Sequence, residues 1–495
     1  MELTKKKKTI IFLVLLLILA FTLRVWNIKN DLLFHRDQGV HSLDIYKIWH
    51  DHKFSLLGPT TDVDGIVHSP VYYWLMAPAY AVGRGDPGVA SLFQILLEVV
   101  SLPLLYFALV YFFNKRTAIL SLILYTVSYG MISQSRWLSN VTPIIPFSNL
   151  LVFLIAYQLK KRIKPLLIFL SSLVVGVMTQ HDAAVAIFLF PFLLWFYRKN
   201  LKSLSNLSLI MAGFLLPATP LIIFEFRHNF VLTNAILRFF GSSGRGLGFT
   251  FGVFWTNLVT FLRQVSVATF YPIILVSSLL FILGLIRLYG KKQALTIYAF
   301  LLIPFIFLGL FQRGAIGFFF DALLPLAVGC VIYGLEYFSK PVGNILLGFI
   351  ILTNLWQLPY IYQPTNALTP IGDGNVITLQ DRKNIIDWMY VNANGKAFSV
   401  WFYTIPYYQE ESWTYLFTIY AKPKYGYLPE ATHGFSPKDL KVSQLFFAVY
   451  EPEYDNARMG NQISWLTDVK SVFGGVRDSY RSDDVVVRLT SWQPK

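Results

Sequence analysis

The residues Phe34-His35-Arg36-Asp37-Gln38 place a carboxylate beside a cation shortly after the first apolar segment of the chain. A carboxylate in this place could act as a general base and take the proton from an acceptor hydroxyl or amine. Charged groups at a membrane boundary are costly to desolvate, so they usually have a function or a charged partner. The alternatives for Asp37 are a surface ion pair with Arg36 or an N-cap for the segment that follows.

The elements that position these residues are predicted to be membrane helices, because 55% of the 495 residues are hydrophobic and only 14% are charged. A soluble chain of this length does not bury so much apolar surface. Backbone polar groups must be satisfied internally in a bilayer, which favours helices of about 20 apolar residues. The sequence predicts eleven spans, at 9–28, 88–112, 117–135, 143–159, 165–180, 183–197, 206–225, 265–287, 294–311, 316–337 and 341–358.

Lys and Arg accumulate in alternate loops between these spans, and short basic loops stay on the cytoplasmic side of a membrane. With eleven spans, every basic cluster falls on the same side as the N-terminus: Lys5 to Lys8, Lys115 and Arg116, Lys160 to Lys164, Arg198 to Lys202, Arg287 to Lys292, and Lys340. The pattern predicts a multi-pass protein of the cell membrane with a cytoplasmic N-terminus. It also assigns the net charge of +15 to contacts with anionic lipids rather than to nucleic acid.

The first external loop, 29–87, falls outside the span pattern. Segment 38–50 places apolar residues at helical spacing, and segment 69–83 is short, apolar and rich in Tyr and Trp. Amphipathic helices of this kind lie at the level of the lipid headgroups. We therefore predict two interfacial helices, with Asp37 close to the first of them.

The C-terminal region, 359–495, is more polar, with a helix predicted at 380–392 and strands at 397–405, 443–452 and 484–492. The chain thus divides into a membrane part, 1–358, and a small external α/β domain. The single cysteine, Cys330, excludes an intrachain disulfide.

Six segments in order resemble the protein O-mannosyltransferase and aminoarabinose transferase families, which are C-type (GT-C) membrane glycosyltransferases. The resemblance covers about residues 9–358 and rests on HRDQGVHSLDIYKI (35–48), HSPVYYWLMAPAY (68–80), FFNKRTAILSLILY (112–125), GVMTQHDAAVAIFLFPFLL (176–194), LPATPLIIFEFRHNF (216–230) and FFFDALLPLAVGCVIYGL (318–335). It implies an enzyme that takes a sugar from a polyprenyl-phosphate donor at the external face. The acceptor would be a lipid, glycan or protein of the cell envelope, and no cofactor is implied.

In this family an acidic residue of the first external loop is the catalytic base, usually within an Asp-Glu pair. The resemblance gives that role to Asp37, while Gln38 stands where the second acid is expected. The second external loop carries SRWLSNVTP (135–143) without an acid, and Asn140 could orient a substrate there. These departures leave open a protein that keeps the fold but has lost the activity.

The polyprenyl phosphate that leaves such a reaction needs cations or fixed dipoles near it. The residues predicted to bind substrate or phosphate are Arg36, Gln38, His68, Tyr72, Arg136, Asn140, His181, Arg227 and Arg313. The basic ones could instead be interfacial anchors that reach the headgroups. Asp182 and Asp321 are further candidates, and pairing with His181 and Arg313 would explain them structurally.

A metal site and a transport function are the remaining alternatives. His50, Asp51, His52, Asp62, Asp64 and His68 could surround a divalent ion, but no zinc-binding spacing is present, so we predict a metal-independent enzyme. A non-enzymatic flippase for lipid-linked sugars would need polar groups near the bilayer midplane, where Glu98 is the main exception to an uncharged interior. The glycine-rich segment 241–248 lacks a phosphate-binding pattern and is interpreted as an external loop.

Overall fold

The computed structural model of the chain is mainly helical up to residue 361 and mixed α/β beyond it. The residues that it describes are 2–61, 63–242, 248–271, 273–361, 377–405, 409–433, 445–451, 459–473, 476–482 and 485–490. Most of segment 241–248 and Asp62 therefore lie outside the described residues.

The helical part begins with α1 (Glu2–Val25), α2 (Ile28–Asp31), α3 (Arg36–Trp49), α4 (Val71–Val82), α5 (Pro87–Phe112), α6 (Lys115–Val127), α7 (Tyr129–Arg136), α8 (Ile144–Lys160), α9 (Pro165–His181), α10 (Ala183–Ala186), α11 (Leu189–Phe196) and α12 (Leu204–Leu215). It continues with α13 (Thr219–Arg227), α14 (Val231–Ser242), α15 (Phe251–Thr269), α16 (Ile274–Leu288), α17 (Ala294–Leu310), α18 (Leu324–Leu335) and α19 (Lys340–Ile361). Short 3₁₀ turns at Leu216–Ala218 and Gly317–Leu323 lead into α13 and α18.

Within the described residues, five helices are long and apolar enough to cross a membrane, or up to seven if each of two bent pairs counts as one span. Four further apolar helices have 10–17 residues. Several membrane-length helices are thus present, as predicted, and each predicted span overlaps a helix or a pair of helices. The number of eleven spans and the interfacial position of α3 and α4 stay predictions.

The spans predicted at 117–135 and 265–287 are wrong as single helices. The first is divided into α6 and α7, bent by 58° at the break, and the second is divided more sharply. The structure has α15 and α16 in this second segment, bent by 98° at the break between them. The sequence places Pro272 in this break, and proline lacks the amide hydrogen that would continue a helix. The hydropathy of the segment is continuous, so only the proline indicated the interruption.

One end of the bundle collects the starts of α6 and α19 and the ends of α16 and α18. Glu336 joins α18 to α6 and α16, because its carboxylate accepts hydrogen bonds from Asn114 (3.1 Å) and Thr117 (2.8 Å) and lies 3.7 Å from Arg287. Arg116 of α6 donates to Asn344 of α19 over 2.8 Å. Three of the basic clusters predicted to share one side of the membrane therefore do meet at the same end of the bundle.

The α/β region contains α20 (Leu379–Ala393), α21 (Glu411–Leu416), α22 (Lys422–Tyr425), α23 (Met459–Phe473) and the strands β1 (Phe398–Tyr403), β2 (Ala431–His433), β3 (Leu445–Tyr450), β4 (Val476–Ser482) and β5 (Val485–Thr490). The sheet order is β2-β1-β3-β5-β4. Strand β1 pairs in parallel with β2 and β3, while β5 pairs antiparallel with β3 and β4. The three strands predicted from the sequence correspond to β1, β3 and β5, whereas β2 and β4 were not predicted.

This region packs on the start of α3. The amide of Phe34 donates to the carbonyl of Ile377, and the Arg382 guanidinium donates to the carbonyl of Phe34 over 2.7 Å. A side chain at Gly39 would begin 2.3 Å from the backbone nitrogen of Ser412, so α3 and α21 touch at a position without a side chain. The segment that carries Asp37 is thus held between the helical bundle and the α/β region.

Candidate active site

A cavity of about 650 Å³, which we call the Asp37 cavity, opens where the start of α3 meets the loops that follow α7 and α9. Residues 60–68 and the segments around 264–271 and 313–319 complete its wall. Six of the ten residues predicted from the sequence line it: Arg36, Asp37, His68, Asn140, His181 and Arg313. Residues more than a hundred positions apart in sequence thus converge on one space, large enough for a small ligand.

Asp37 lies in the first turn of α3, and 56% of its side chain is exposed. The Arg36 guanidinium is 3.3 Å from its carboxylate, so the ion pair considered as an alternative is present. A pair this exposed contributes little to stability. The N-cap alternative does not hold, because His35 occupies that position. Asp37 is therefore accessible from the cavity and has no evident structural task.

Gln38 does not line the Asp37 cavity and has a structural place instead. Its amide oxygen accepts a hydrogen bond from the backbone of His35 (2.9 Å), while its amide nitrogen donates to the carbonyl of Leu138 (3.1 Å). This closes a capping box with His35 and fixes the direction in which α3 begins. A role in binding substrate is not supported for Gln38, whose amide groups are already occupied.

Asn140 and His181 hold each other by two hydrogen bonds. The Asn140 side chain donates to the carbonyl of His181 (2.7 Å), and Nδ1 of His181 bonds the carbonyl of Asn140 (2.8 Å). A carbonyl only accepts, so Nδ1 carries the hydrogen and the neutral ring presents the lone pair of Nε2. This buried Nε2 has no partner among the residues that the structure describes. The ring stacks on Phe147 with the centroids 5.5 Å apart, which fixes its direction.

His41 and His68 are also buried beside the cavity. Burial lowers the pKa of each imidazole to about 4, with His41 lowering that of His68 further and Asp37 opposing the effect at His41. The His68 ring also bonds the backbone carbonyl of Thr179. Both rings are therefore neutral at pH 7. They cannot supply the positive charge that a phosphate would require.

Positive charge in the cavity comes from Arg36 and Arg313. Nε of Arg36 is buried without a hydrogen-bond partner in the described part of the chain. The Arg313 guanidinium lies 5.6 Å from the ring centroid of Phe239. The side-chain amide of Asn257 donates to the Arg313 carbonyl (2.8 Å) and so fixes the backbone at this position.

Tyr72, Arg136 and Arg227 were predicted to bind substrate but lie outside the lining. Arg136 is buried, pairs with Asp31 and donates to the carbonyls of Arg24 and Trp26 over 2.8 Å each. Tyr72 is buried behind the cavity, with its ring centroid 6.0 Å from that of His181. Arg227 is exposed at the end of α13. None of these three side chains lines the Asp37 cavity, and their contact with substrate stays a prediction.

The two further acids each accept a hydrogen bond that was not predicted. Asp182 caps α10, since its carboxylate accepts from the amide of Ala184 (2.9 Å). Asp321 is fully buried and accepts from the Gln264 side chain (2.7 Å) rather than from Arg313. Gln264 itself lines the cavity, so Asp321 orients a cavity residue from behind.

Glu98, the residue on which a flippase would depend, is part of a buried ion pair. The Arg24 guanidinium donates to it over 3.1 Å and also bonds the carbonyls of Ala20 and Tyr125. An acid fixed in this way joins helices and is not free to bind a substrate.

No group of three or more His, Cys, Asp or Glu side chains in the described ranges could hold a metal ion.

Sequence reasoning missed Gln134 and Gln264 as cavity residues. Both line the cavity, and Nε2 of Gln134 is buried without a partner in the part of the chain that the structure describes. Each is an amide side chain inside an apolar helical segment, which could have indicated a polar site. A buried amide needs hydrogen-bond partners, and apolar neighbours do not offer them.

Known proteins resemble this chain in sequence and in fold. The family model described as dolichyl-phosphate-mannose-protein mannosyltransferase matches residues 67–224. The ArnT crystal structure from Cupriavidus metallidurans in the apo state has 12% sequence identity and a TM-score of 0.59, with 98% of each chain covered. This chain has the GT-C fold. The same ArnT bound to undecaprenyl phosphate gives a TM-score of 0.61, again at 12% identity and 98% coverage of both chains.

The oligosaccharyltransferase of Archaeoglobus fulgidus, in a complex with Zn and sulfate, is more distant from this GT-C chain. It has 12% identity and a TM-score of 0.49, over 94% of this chain and 71% of that one. No curated protein matches the sequence. The resemblance read from the sequence motifs agrees with the mannosyltransferase family model and with the fold that this chain shares with ArnT.

Proposed function

We propose that this chain is an inverting, metal-independent glycosyltransferase that takes a sugar from a polyprenyl-phosphate donor. One observation carries the proposal: the Asp37 cavity unites an accessible carboxylate with two arginines in the GT-C fold. The similar ArnT of Cupriavidus metallidurans has been crystallised with undecaprenyl phosphate, which supports a lipid-linked phosphate as the leaving group. The positive-inside pattern supports an Asp37 cavity on the external face, with the α/β region on the same side.

Asp37 acts as the general base. Its carboxylate takes the proton from an acceptor hydroxyl or amine, and the acceptor atom forms its bond to the anomeric carbon of the sugar. The bond from that carbon to the phosphate oxygen breaks at the same time, and polyprenyl phosphate leaves with the electron pair. Attack from the face opposite the phosphate inverts the anomeric configuration.

Arg36 and Arg313 hold the phosphate, because they supply the cationic charge that the neutral His41 and His68 rings do not. His181 suits a different part of the donor. With Nδ1–H bound to Asn140, its neutral ring offers an acceptor, which fits a sugar hydroxyl better than a phosphate oxygen. His68 and Asn140 border the same sugar position.

The acceptor in this proposal is a lipid, glycan or protein of the cell envelope that reaches Asp37 from the external side. An exposed carboxylate at the mouth of the cavity is consistent with an acceptor that is not itself enclosed. A flippase is not supported by Glu98, because Arg24 fixes this carboxylate in a buried ion pair.

The test is transfer of labelled sugar in native membranes that contain polyprenyl-phosphate sugars, with wild type and Asp37→Asn compared at matched expression. Loss of a general base lowers the rate by about 10²- to 10⁴-fold. Asp51→Asn is the matched control, since Asp51 is a carboxylate just after α3 that pairs with His50 and does not line the cavity. It is expected to transfer at the wild-type rate.

Measuring the binding of the donor distinguishes the general base from the residues that bind the phosphate. Asp37→Asn should retain labelled polyprenyl phosphate, whereas Arg313→Gln should bind it more weakly. Unchanged transfer by Asp37→Asn would overturn the assignment of the base. Failure of the wild type to transfer any sugar from membranes of several bacterial and archaeal sources would overturn the proposed donor class.

A further inference from the structure

A second cavity, of about 230 Å³, lies at the other end of the helical bundle. We call it the basic pocket; Arg116, Arg287, Glu336 and Lys340 form its polar wall. Helix α6 begins beside the basic pocket and is followed by α7, which borders the Asp37 cavity. The 3₁₀ turn at Gly317–Leu323 also borders the Asp37 cavity, and α18 runs from this turn back to the basic pocket. The two cavities are therefore at opposite ends of the same helices.

The charges of the basic pocket do not cancel. Its one acid, Glu336, already accepts from Asn114 and Thr117 and faces Arg287 at 3.7 Å. Among the described residues, Arg116 bonds the neutral Asn344 over 2.8 Å, and neither Arg116 nor Lys340 has an ion-pair partner there. Two cations are thus left without a counter-charge around one cavity. Like charges around one cavity repel each other, and an anion bound between them would lower the electrostatic free energy.

The backbone amide groups add to the positive electrostatic potential of the basic pocket. Helices α6 and α19 both begin at the basic pocket, with Lys340 as the first residue of α19. The first turn of a helix carries unpaired amide groups and a partial positive charge. Arginine, lysine and two helix starts around one space are the features of a phosphate site.

The remaining wall is apolar and consists of side chains such as Leu120, Ile332 and Phe338. A site for a free, fully hydrated phosphate has no need of such a wall, whereas a lipid has both a charged headgroup and a glycerol and acyl portion that these side chains can contact. Basic pockets between transmembrane helices on the cytoplasmic side typically bind the headgroups of anionic lipids.

We propose that the basic pocket binds the phosphate headgroup of an anionic phospholipid, such as a phosphatidylglycerol. The lipid holds α6, α16, α18 and α19 together at the end opposite the Asp37 cavity. This site is independent of the proposed glycosyltransfer, since none of its residues lines the Asp37 cavity.

The experiment titrates the purified full chain, in an uncharged detergent, with short-chain phosphatidylglycerol, short-chain phosphatidylcholine or inorganic phosphate. The variant is Arg116→Gln with Lys340→Gln. This variant keeps Arg287, so the negative charge of Glu336 keeps its cationic partner. The control is Lys161→Gln with Arg162→Gln, which makes the same charge change at exposed positions after α8. Each Lys or Arg near an anionic lipid contributes about 1 kcal/mol, so the Kd for phosphatidylglycerol should rise about thirtyfold in the pocket variant only.

Tight binding of phosphatidylglycerol by wild type and control, with the loss confined to the pocket variant, supports the proposal. Equal affinity of the three proteins overturns the site, and equal affinity for phosphatidylcholine overturns the need for an anionic headgroup. If inorganic phosphate binds as tightly as the lipid, the ligand is free phosphate and the lipid assignment is wrong. Should the double variant not fold, Lys340→Gln alone is titrated and judged by the same outcomes.

Discussion

The helical bundle and the α/β region each contain a fully buried arginine–glutamate pair, but the partners of the two pairs differ. In the bundle, Arg24 and Glu98 are 3.1 Å apart, and Arg24 further bonds backbone carbonyls of α1 and α6. One oxygen of Glu98 is buried without a partner in the described part of the chain. All groups that this pair joins belong to the membrane helices.

The pair of the α/β region, Arg382 and Glu451 at 2.6 Å, is more completely bonded. Glu451 also accepts from the indole of Trp413 (3.1 Å) and from the amide of Ile405 (2.9 Å). Arg382 in addition holds the carbonyl of Phe34, which lies three residues before the proposed base. One pair therefore connects helices of the bundle, whereas the other connects a separate region to the active site.

The largest effect is expected from Glu98→Ala, which leaves the Arg24 charge buried in an apolar bundle. Breaking a buried pair by removing one partner costs about 3–5 kcal/mol. We expect a lower yield of folded protein and a clearly lower midpoint of thermal unfolding in detergent. Arg24→Met with Glu98→Met is the control, because removal of both charges should restore most of the stability. An unchanged unfolding midpoint for Glu98→Ala would show that the pair does not hold the bundle.

Glu451→Ala should destabilise less, by about 3 kcal/mol, because the α/β region borders water and can admit it around Arg382. It should, however, lower the transfer rate per folded molecule, about tenfold, since small displacements of a catalytic group are costly. The measurement is transfer normalised to monodisperse protein. The Arg24→Met, Glu98→Met variant should keep its normalised rate. Equal normalised rates for Glu451→Ala and wild type would contradict a link between Arg382 and the active site.

The same contrast explains how much could be predicted from the sequence. Membrane helices follow from local composition, so the span predicted at 143–159 appears as α8, Ile144–Lys160. The predicted topology alone brings three loops to the same side of the membrane, so their residues Asp37, Arg313 and Asn140 could be placed near one surface. Arg136 could not be recognised as structural, since its partner Asp31 is defined only by the tertiary packing of α2 on α7. Nothing in the sequence around Phe34 indicates its bond to Arg382, which is 348 residues away.

Gly39→Ala tests the contact between the two regions with the smallest change. Its Cβ would lie 2.3 Å from the nitrogen of Ser412 and 2.8 Å from the carbonyl carbon of Glu411, both backbone atoms that cannot rotate away. Overpacking of this kind costs about 1–3 kcal/mol. The displacement falls on α3, two residues after Asp37, so the normalised transfer rate should drop although the cavity keeps all its side chains.

Gly252→Ala is the matched control, because Gly252 is also helical and nothing lies within 4 Å of its added Cβ. Alanine is the better helix former, so this variant should be as stable as wild type or slightly more, by about 0.5–1 kcal/mol, and transfer normally. If Gly39→Ala behaved like this control, α21 would be able to withdraw from α3 without cost. The α/β region would then position Asp37 through its bonds to Phe34 and the residues beside it, and the effect of Glu451→Ala would measure the share of that link that Arg382 supplies.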